Sequence, residues 1–222
     1  MTKSRTKERR QRIKSLRAWR LRQLIESLKI EYRDHFPELW SGRLQLRKLK
    51  PSDQGELHRI MNEPSVQRYI SFSRETTGLP GRLFGHFMES YHTLSALHFA
   101  LILRGSCRFI GLCSFQHWQE NEGRAALGYM LSPDCWNQGL ATEAVRTVMT
   151  FGFEQMRLNE ITARCDPANL ASIQVLHKCG FTEELLSHEG IVNEQGRLHR
   201  LSRYVRHPLG KASSNSDTLL HK

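Results

Sequence analysis

A chain of 222 residues with 39% apolar and 25% charged residues suits one domain of ordinary size with an appendage, and two full domains would be cramped. No apolar run approaches the ~20 residues that a bilayer-crossing helix needs, which excludes a helical span. The net charge of +11 is unevenly placed: residues 1–22 hold ten Lys or Arg against Glu8, or +9, and the other 23 basic and 21 acidic residues leave +2.

The basicity therefore belongs to an N-terminal arm. Residues 2–33 are helix formers throughout, with Leu21, Leu24, Ile25 and Leu28 at three-and-four spacing, which predicts one basic amphipathic helix. A helix this polar gains little stability alone, so its stripe must pack on the body, on a partner, or on a second copy in a homodimer. Residues 1–34 are expected to attract a polyanion such as ribosomal RNA or an acidic membrane face, the alternative being a solvated helix without a partner. A transit peptide is a weaker reading, because Glu26, Glu31 and Asp34 return acids to the same helix. Pro37 and Ser41-Gly42 mark a linker. The expected organisation is an arm and linker over 1–40, a folded domain over 41–208 and a Ser-rich disordered tail over 209–222.

A strand is expected from Arg43, where Leu44 and Leu46 alternate with charged neighbours until Pro51. Asp53 and Glu56 have the spacing of a capping box for a helix reaching about Asn62. A short helical turn over Val66–Ile70 and a helix over Pro80–Thr93 follow. Strands over Leu97–Leu103 and Arg108–Phe115 form a hairpin through Arg104-Gly105, and a third over Arg124–Leu131 completes a meander. After Pro133 the period changes: Leu140, Ala144, Val145, Val148, Gly152 and Met156 share one side of a largely buried helix. A strand over Asn159–Cys165, a helix over Asn169–Lys178 closed by Gly180, and strands near Glu189–Val192 and Leu198–Val205 end the body. This order implies an α+β fold, a mixed sheet flanked by helices, in which the strands before and after the central helix lie parallel.

The stretch most informative about chemistry is Asp134-Cys135-Trp136-Asn137-Gln138-Gly139-Leu140-Ala141-Thr142-Glu143-Ala144. A turn between a strand and a buried helix leaves backbone N–H groups unpaired at the positive end of the helix dipole, where an anion is favoured. Gly139 and Ala141 keep side chains out of the way. One Gly and one small residue before a helix also describe an ordinary helix start.

This segment resembles the GNAT acetyltransferases, and within them the ribosomal-protein N-terminal acetyltransferase (RimJ/RimL-like) branch. The likeness runs from Leu44-Gln45-Leu46-Arg47 and Ser52-Asp53 through Gly128-Tyr129 and the stretch above to Asn169-Leu170-Ala171-Ser172 and Lys178-Cys179-Gly180-Phe181. It spans roughly residues 43–206 and leaves the arm outside. It implies a GNAT-like, mostly antiparallel twisted sheet and acetyl-CoA as co-substrate, without a metal. The pyrophosphate would lie on main-chain N–H groups of Asn137, Gln138, Gly139, Leu140, Ala141 and Thr142. The pantetheine arm would pair with Met130 and Leu131, where strands splay. Asn169 and Ser172 would approach the thioester end, and Ser172 would serve as the acid for the departing thiolate, because Leu176 stands where many relatives have Tyr. The reaction implied is direct attack by a neutral amine in a ternary complex, with a protein N-terminus as acceptor in a cytoplasmic setting. A small-molecule amine (antibiotic or polyamine) and a non-catalytic CoA- or RNA-binding module are the rivals.

The general base is open. Relatives carry Glu two positions before the Gly-Tyr pair and this chain carries Ala126; His117, Glu120 and Glu122 nearby are alternatives acting through water. The five cysteines form no C-x-x-C pair, which suits a reducing compartment, and Cys135 is the thiol expected to be reachable. His86, His92 and His98 lack metal-ligand spacing. Trp118 and Trp136 are expected to be packing or loop anchors.

Overall fold

The structure, a computed structural model, describes residues 12, 16, 19, 20, 23–70, 79–192 and 198–208. The tail over 209–222 and most of the arm over 1–22 lie outside them. Residues 23–34 form helix α1. The strands are β1 (Leu39–Trp40), β2 (Leu44–Lys48), β3 (Ala96–Leu103), β4 (Arg108–Gln119), β5 (Arg124–Leu131), β6 (Glu160–Cys165), β7 (Thr182–Val192) and β8 (Leu198–Arg206). The remaining helices are α2 (Gln54–Met61), α3 (Pro64–Gln67), α4 (Pro80–Thr93), α5 (Leu140–Glu154) and α6 (Leu170–Lys178).

The eight strands form one sheet in the order β1-β2-β3-β4-β5-β6-β8-β7. Every neighbouring pair is antiparallel except β5 and β6, the two strands that flank α5. A crossover through a helix returns the chain in the same direction, so the parallel pair follows from the order of elements. Alternate residues along the meander serve opposite faces. Ala100, Ile102 and Leu112 pack with Leu57, Ile60 and Met61 of α2 and Leu83, Phe87 and Tyr91 of α4. Phe99, Leu101, Cys113, Phe115 and Leu127 pack with Ala144, Val145, Val148 and Phe151 of α5. Each fully buried Leu or Phe here contributes roughly 1.5–3 kcal/mol.

Part of the expected stripe packs on the body, through Ile25 and Leu28, whereas Leu24 is exposed and Leu21 lies outside the described residues. Ile25 and Tyr32 are buried, and the Tyr32 ring lies 5.6 Å from that of Phe151. Lys29 sits over the Trp118 ring and pairs with Glu120. The expected linker includes the short strand β1, whose Leu39 opposes Leu46.

Three boundaries differ from expectation. Asp53 precedes α2 but does not cap it by its side chain; its carboxylate instead takes two bonds from Arg47, at 2.7 and 2.9 Å, and one from the Lys50 N–H at 2.8 Å. A buried guanidinium outcompetes a helix N–H for the same oxygens, because its desolvation must be offset. The turn expected over Val66–Ile70 is helix α3, and Pro64 at its first turn sets the earlier start. β7 begins at Thr182 rather than Glu189, where Thr182 and Glu183 pair with Val205 and Tyr204 before a shift in register. The charged run there hides a strand whose partner supplies the reason for it.

His98 on β3 carries a testable consequence. Its Nδ1 lies 2.7 Å from Ser114 Oγ, its Nε2 is buried without a partner among the described residues, and burial, then the charge of nearby His86, lowers its pKa to about 3. The folded value lies below the unfolded one of about 6.5, so stability is whole above that pH and is lost as pH falls from there towards the folded value. The slope expected is up to about 1.4 kcal/mol per pH unit. Urea unfolding between neutral and mildly acid pH should show a flatter acid limb for His98→Gln; equal limbs would show that the imidazole is not the responsible group.

Candidate active site

β5 and β6 are joined only where Arg124, Ala125 and Ala126 face Glu160, Ile161 and Thr162. Beyond Ala126, β5 continues beside β4, with Met130 opposite Leu112 and Leu131 opposite Gly111. β6 continues instead beside β8, from Ala163 opposite Tyr204 to Cys165 opposite Ser202. The sheet therefore forks, and among the described residues no strand lies on one edge of β5 from Leu127 onward. An internal edge of this kind can take an extended polyamide as an added strand. Gly111 helps set the path of β5: its φ is +153°, and a Cβ there would stand 2.1 Å from the Met130 carbonyl oxygen. Of the two residues expected to pair with pantetheine, Leu131 has its carbonyl engaged by the Trp136 indole N–H at 2.9 Å. Trp136 is thus a loop anchor, and the open edge ends at Met130.

Past β5 the chain makes a 3-10 turn over Pro133–Cys135, and the N–H groups of Cys135 and Trp136 are bonded inside it. Asn137 and Gly139 then take positive φ, 59° and 74°, before α5 starts at Leu140. The first bond closing the helix runs from the Glu143 N–H to the Gly139 carbonyl at 3.0 Å. Among the described residues none accepts from the N–H groups of residues 137–142. These donors stand at the N-terminus of a 15-residue helix, where the dipole and the absence of a glycine side chain favour a phosphate.

One cation is braced against this loop. The Arg43 guanidinium donates to the Gln138 carbonyl at 2.9 Å and to Glu143 at 2.7 Å, and a Cβ at Gly139 would stand 3.6 Å from its Nη2. Glu143 also accepts from the Ser41 hydroxyl and the Arg43 N–H, each at 2.7 Å. Burial raises the Glu143 pKa, but these hydrogen bonds and the charge of Arg43 outweigh it and hold the carboxylate below its ordinary range. Arg43 and Glu143 lie 100 residues apart, so no local pattern points to the brace. The Leu-x-Leu-Arg motif that follows Arg43 is the nearest signal.

On the other side of the fork, Asn169 caps α6 by accepting from the Ser172 N–H at 3.1 Å. The two residues expected at the thioester end are thus bonded to each other. The Ser172 Oγ lies 2.8 Å from the hydroxyl of Tyr129, which reaches it from β5. Tyr129 is visible in the sequence only as part of the Gly128-Tyr129 motif. Leu176 is core, 1% exposed.

The row of residues at the fork is Ala96, Gln116, Ala126 and Thr162, side by side on β3, β4, β5 and β6, and none of them titrates. Glu120 is paired with Lys29 and Glu122 with Arg124. Cys113, Cys165 and Cys179 are buried, and burial pushes all three thiols up. Cys135 is also buried, its sulfur 3.0 Å from Arg108 Nη2, so the exposed thiol among the five is Cys107 and not the one expected. Among the described residues, no three His, Cys, Asp or Glu are grouped to hold a metal.

An added-strand slot beside a patch of unclaimed amides fits a ligand that is part polyamide and part pyrophosphate. The family model described as the acetyltransferase (GNAT) domain matches residues 43–182. An uncharacterized N-acetyltransferase of Bacillus licheniformis, p20, is 31% identical over 150 residues, covering 66% of this chain and 83% of its own. The ribosomal-protein-S5-alanine acetyltransferase of Vibrio fischeri superposes with a TM-score of 0.67 at 18% identity, over 77% of this chain and 96% of its own. The spermidine N-acetyltransferase of Vibrio cholerae, solved with CoA and spermine, superposes with a TM-score of 0.64 at 19% identity, over 75% and 96%.

Proposed function

This chain belongs to the GNAT acetyltransferase family, and from that premise we propose that the amine it acetylates is the N-terminus of a protein. It is an acetyl-CoA-dependent N-acetyltransferase. The acceptor reading rests on one observation above all, the uncharged row Gln116-Ala126-Thr162 at the mouth of the fork. A polycationic amine is drawn by carboxylates, and that row offers none; a peptide N-terminus carries one amine and is held largely through its backbone. The likeness of the sequence motifs to the ribosomal-protein branch supports the same acceptor, while the fold is shared with ribosomal-protein and spermidine acetyltransferases alike.

The bound coenzyme supplies an acetyl group activated as a thioester. The amides of Asn137 to Thr142 bind its pyrophosphate with Arg43 alongside, and the free edge of β5 up to Met130 aligns its pantetheine arm. Ser172 donates to the sulfur as it departs. The amine attacks directly, its surplus proton leaving through water past Gln116 and Thr162, so catalysis is mostly placement and hydrogen bonding. The test is a turnover screen of acetyl-CoA against N-terminal peptides, spermidine and an aminoglycoside. Peptide acetylation is expected; turnover of a small amine with no peptide used would replace this reading, and coenzyme binding without turnover of any would favour a non-catalytic module.

The basic arm supports a partner of the same kind. Arg12, Leu16, Trp19 and Arg20 are exposed, and within the arm over 1–34 the excess of positive charge lies in residues 1–22. We assign it ribosomal RNA as ligand, in the cytoplasm, where five unpaired cysteines persist. Removing residues 1–22 should weaken ribosome pelleting and leave coenzyme affinity unchanged. The salt slope of binding should fall by about 0.7–0.9 for every phosphate that the arm neutralises. Equal pelleting of both forms would discard the role. A second copy of the chain as partner is checked by sedimentation of the same two forms.

A further inference from the structure

Tyr129 bridges the fork. Its ring starts on β5, past the last residue paired with β6, and its hydroxyl lies 2.8 Å from the Ser172 Oγ and 3.1 Å from the Ser172 carbonyl oxygen. Two hydroxyls share two hydrogens among these atoms, which permits two arrangements. In one, Ser172 donates to the Tyr129 oxygen and Tyr129 to the Ser172 carbonyl, so both hydrogens are spent. In the other, Tyr129 donates to the Ser172 Oγ, and the serine hydrogen turns away from the phenol, towards the Cys165 sulfur that also shares a hydrogen bond with Ser172 or towards a ligand in the fork.

The surroundings favour a phenol that keeps its proton. Burial raises the Tyr129 pKa, and the titratable groups around it are the thiols of Cys113 on β4, Cys165 on β6 and Cys179 after α6. Each of these is itself pushed up by burial and is neutral near pH 7. No acid or histidine is among those neighbours. The Asn169 cap fixes the backbone of the first turn of α6, and there the Ser172 Oγ lies within hydrogen-bond reach of both Tyr129 and Cys165.

We propose that Tyr129 is a positioning residue for thiolate release: by donating to the Ser172 Oγ, it turns the serine hydrogen onto the coenzyme sulfur. This rests on the coenzyme reading above and adds the device that aims Ser172. As the new C–N bond forms, the C–S bond breaks with its electron pair going to sulfur, and the surplus proton of the amine goes to water. The thiolate is held by the Ser172 hydrogen bond and takes a solvent proton on leaving, so neither hydroxyl ionises. Without coenzyme the Ser172 hydrogen is taken by the Tyr129 oxygen or the Cys165 sulfur, so no donor is left unsatisfied.

The experiment needs no acceptor. Reduced CoA is bound to the full chain, and its thiol is titrated by the ultraviolet absorbance of the thiolate. In the unaltered protein the bound thiol should titrate about one pH unit below the free coenzyme, as a hydrogen bond to the charged form requires. Tyr129→Phe and Ser172→Ala should each return it to the free value, and the double variant should do no more than either alone. At a pH below the titration of the thiol, calorimetric CoA affinity of Tyr129→Phe should stay within about twofold, since that side chain acts through Ser172 and not on the coenzyme itself. If Tyr129→Phe does not fold, 3-fluorotyrosine at position 129, a stronger donor of nearly the same shape, should lower the thiol further. A Tyr129→Phe complex titrating like the unaltered one, or no response to fluorination, would overturn the proposal while leaving the coenzyme site intact. Failure of CoA to bind the unaltered protein would overturn both.

Discussion

Gly139→Asp is expected to lose coenzyme binding by a factor of about 100 or more, as measured by calorimetry with CoA. Three physical effects act together. The backbone there has φ +74°, a region that costs a side chain with a Cβ roughly 1–2 kcal/mol. A carboxylate would oppose the negative ligand at the end of the helix dipole where an anion belongs. Arg43, whose Nη2 stands 3.6 Å from the position of the new Cβ, would pair with that carboxylate and be withdrawn from the ligand. Gly139→Asn has nearly the same shape, tolerates the left-handed region and carries no charge, so it should lose only about tenfold, the scale of a strain near 1.4 kcal/mol. Equal losses for Asn and Asp would reduce the effect to sterics. Unchanged affinity in Gly139→Asp would remove the loop from the binding site altogether.

The second large effect concerns stability. Arg47 and Asp53 form a buried pair with two parallel bonds, their side chains only 11% and 6% exposed. Asp53→Asn leaves a guanidinium buried without its counter-charge, and breaking a buried pair in this way costs about 3–5 kcal/mol. For a domain of this size that corresponds to a fall in Tm of roughly 10 °C. Asp53→Leu combined with Arg47→Met should recover most of the loss, because an apolar pair of similar volume carries no desolvation cost. A Tm for Asp53→Asn within about 2 °C of the parent, less than 1 kcal/mol, would show that solvent reaches the pair and that it holds nothing together.

Both predictions start from positions that the sequence marks, yet for different reasons. Gly139 is legible because its requirement is local: a turn, an achiral residue and a helix start are neighbours in the chain. The spacing of Asp53 suits a cap for α2, also a local role, and the structure gives it to Arg47 and Lys50 instead. Sequence spacing indicates which bonds a side chain can make, and burial decides among them.

The same division runs through the rest of the molecule. The helical period of α5, the apolar runs and turn of the β3-β4-β5 meander, the crossover that makes β5 and β6 parallel, and the amide-rich turn before α5 are all legible in the sequence, since each depends on residues a few positions apart. The fork beyond Ala126, the Arg43–Glu143 brace, the Tyr129–Ser172 contact and the covered thiol of Cys135 were decided by tertiary structure. Each joins segments between 27 and 100 residues apart, or depends on where a strand stops pairing. Which side chains meet across such distances is set by how the packed layers bring strands and helices together, and no single stretch of chain contains that information.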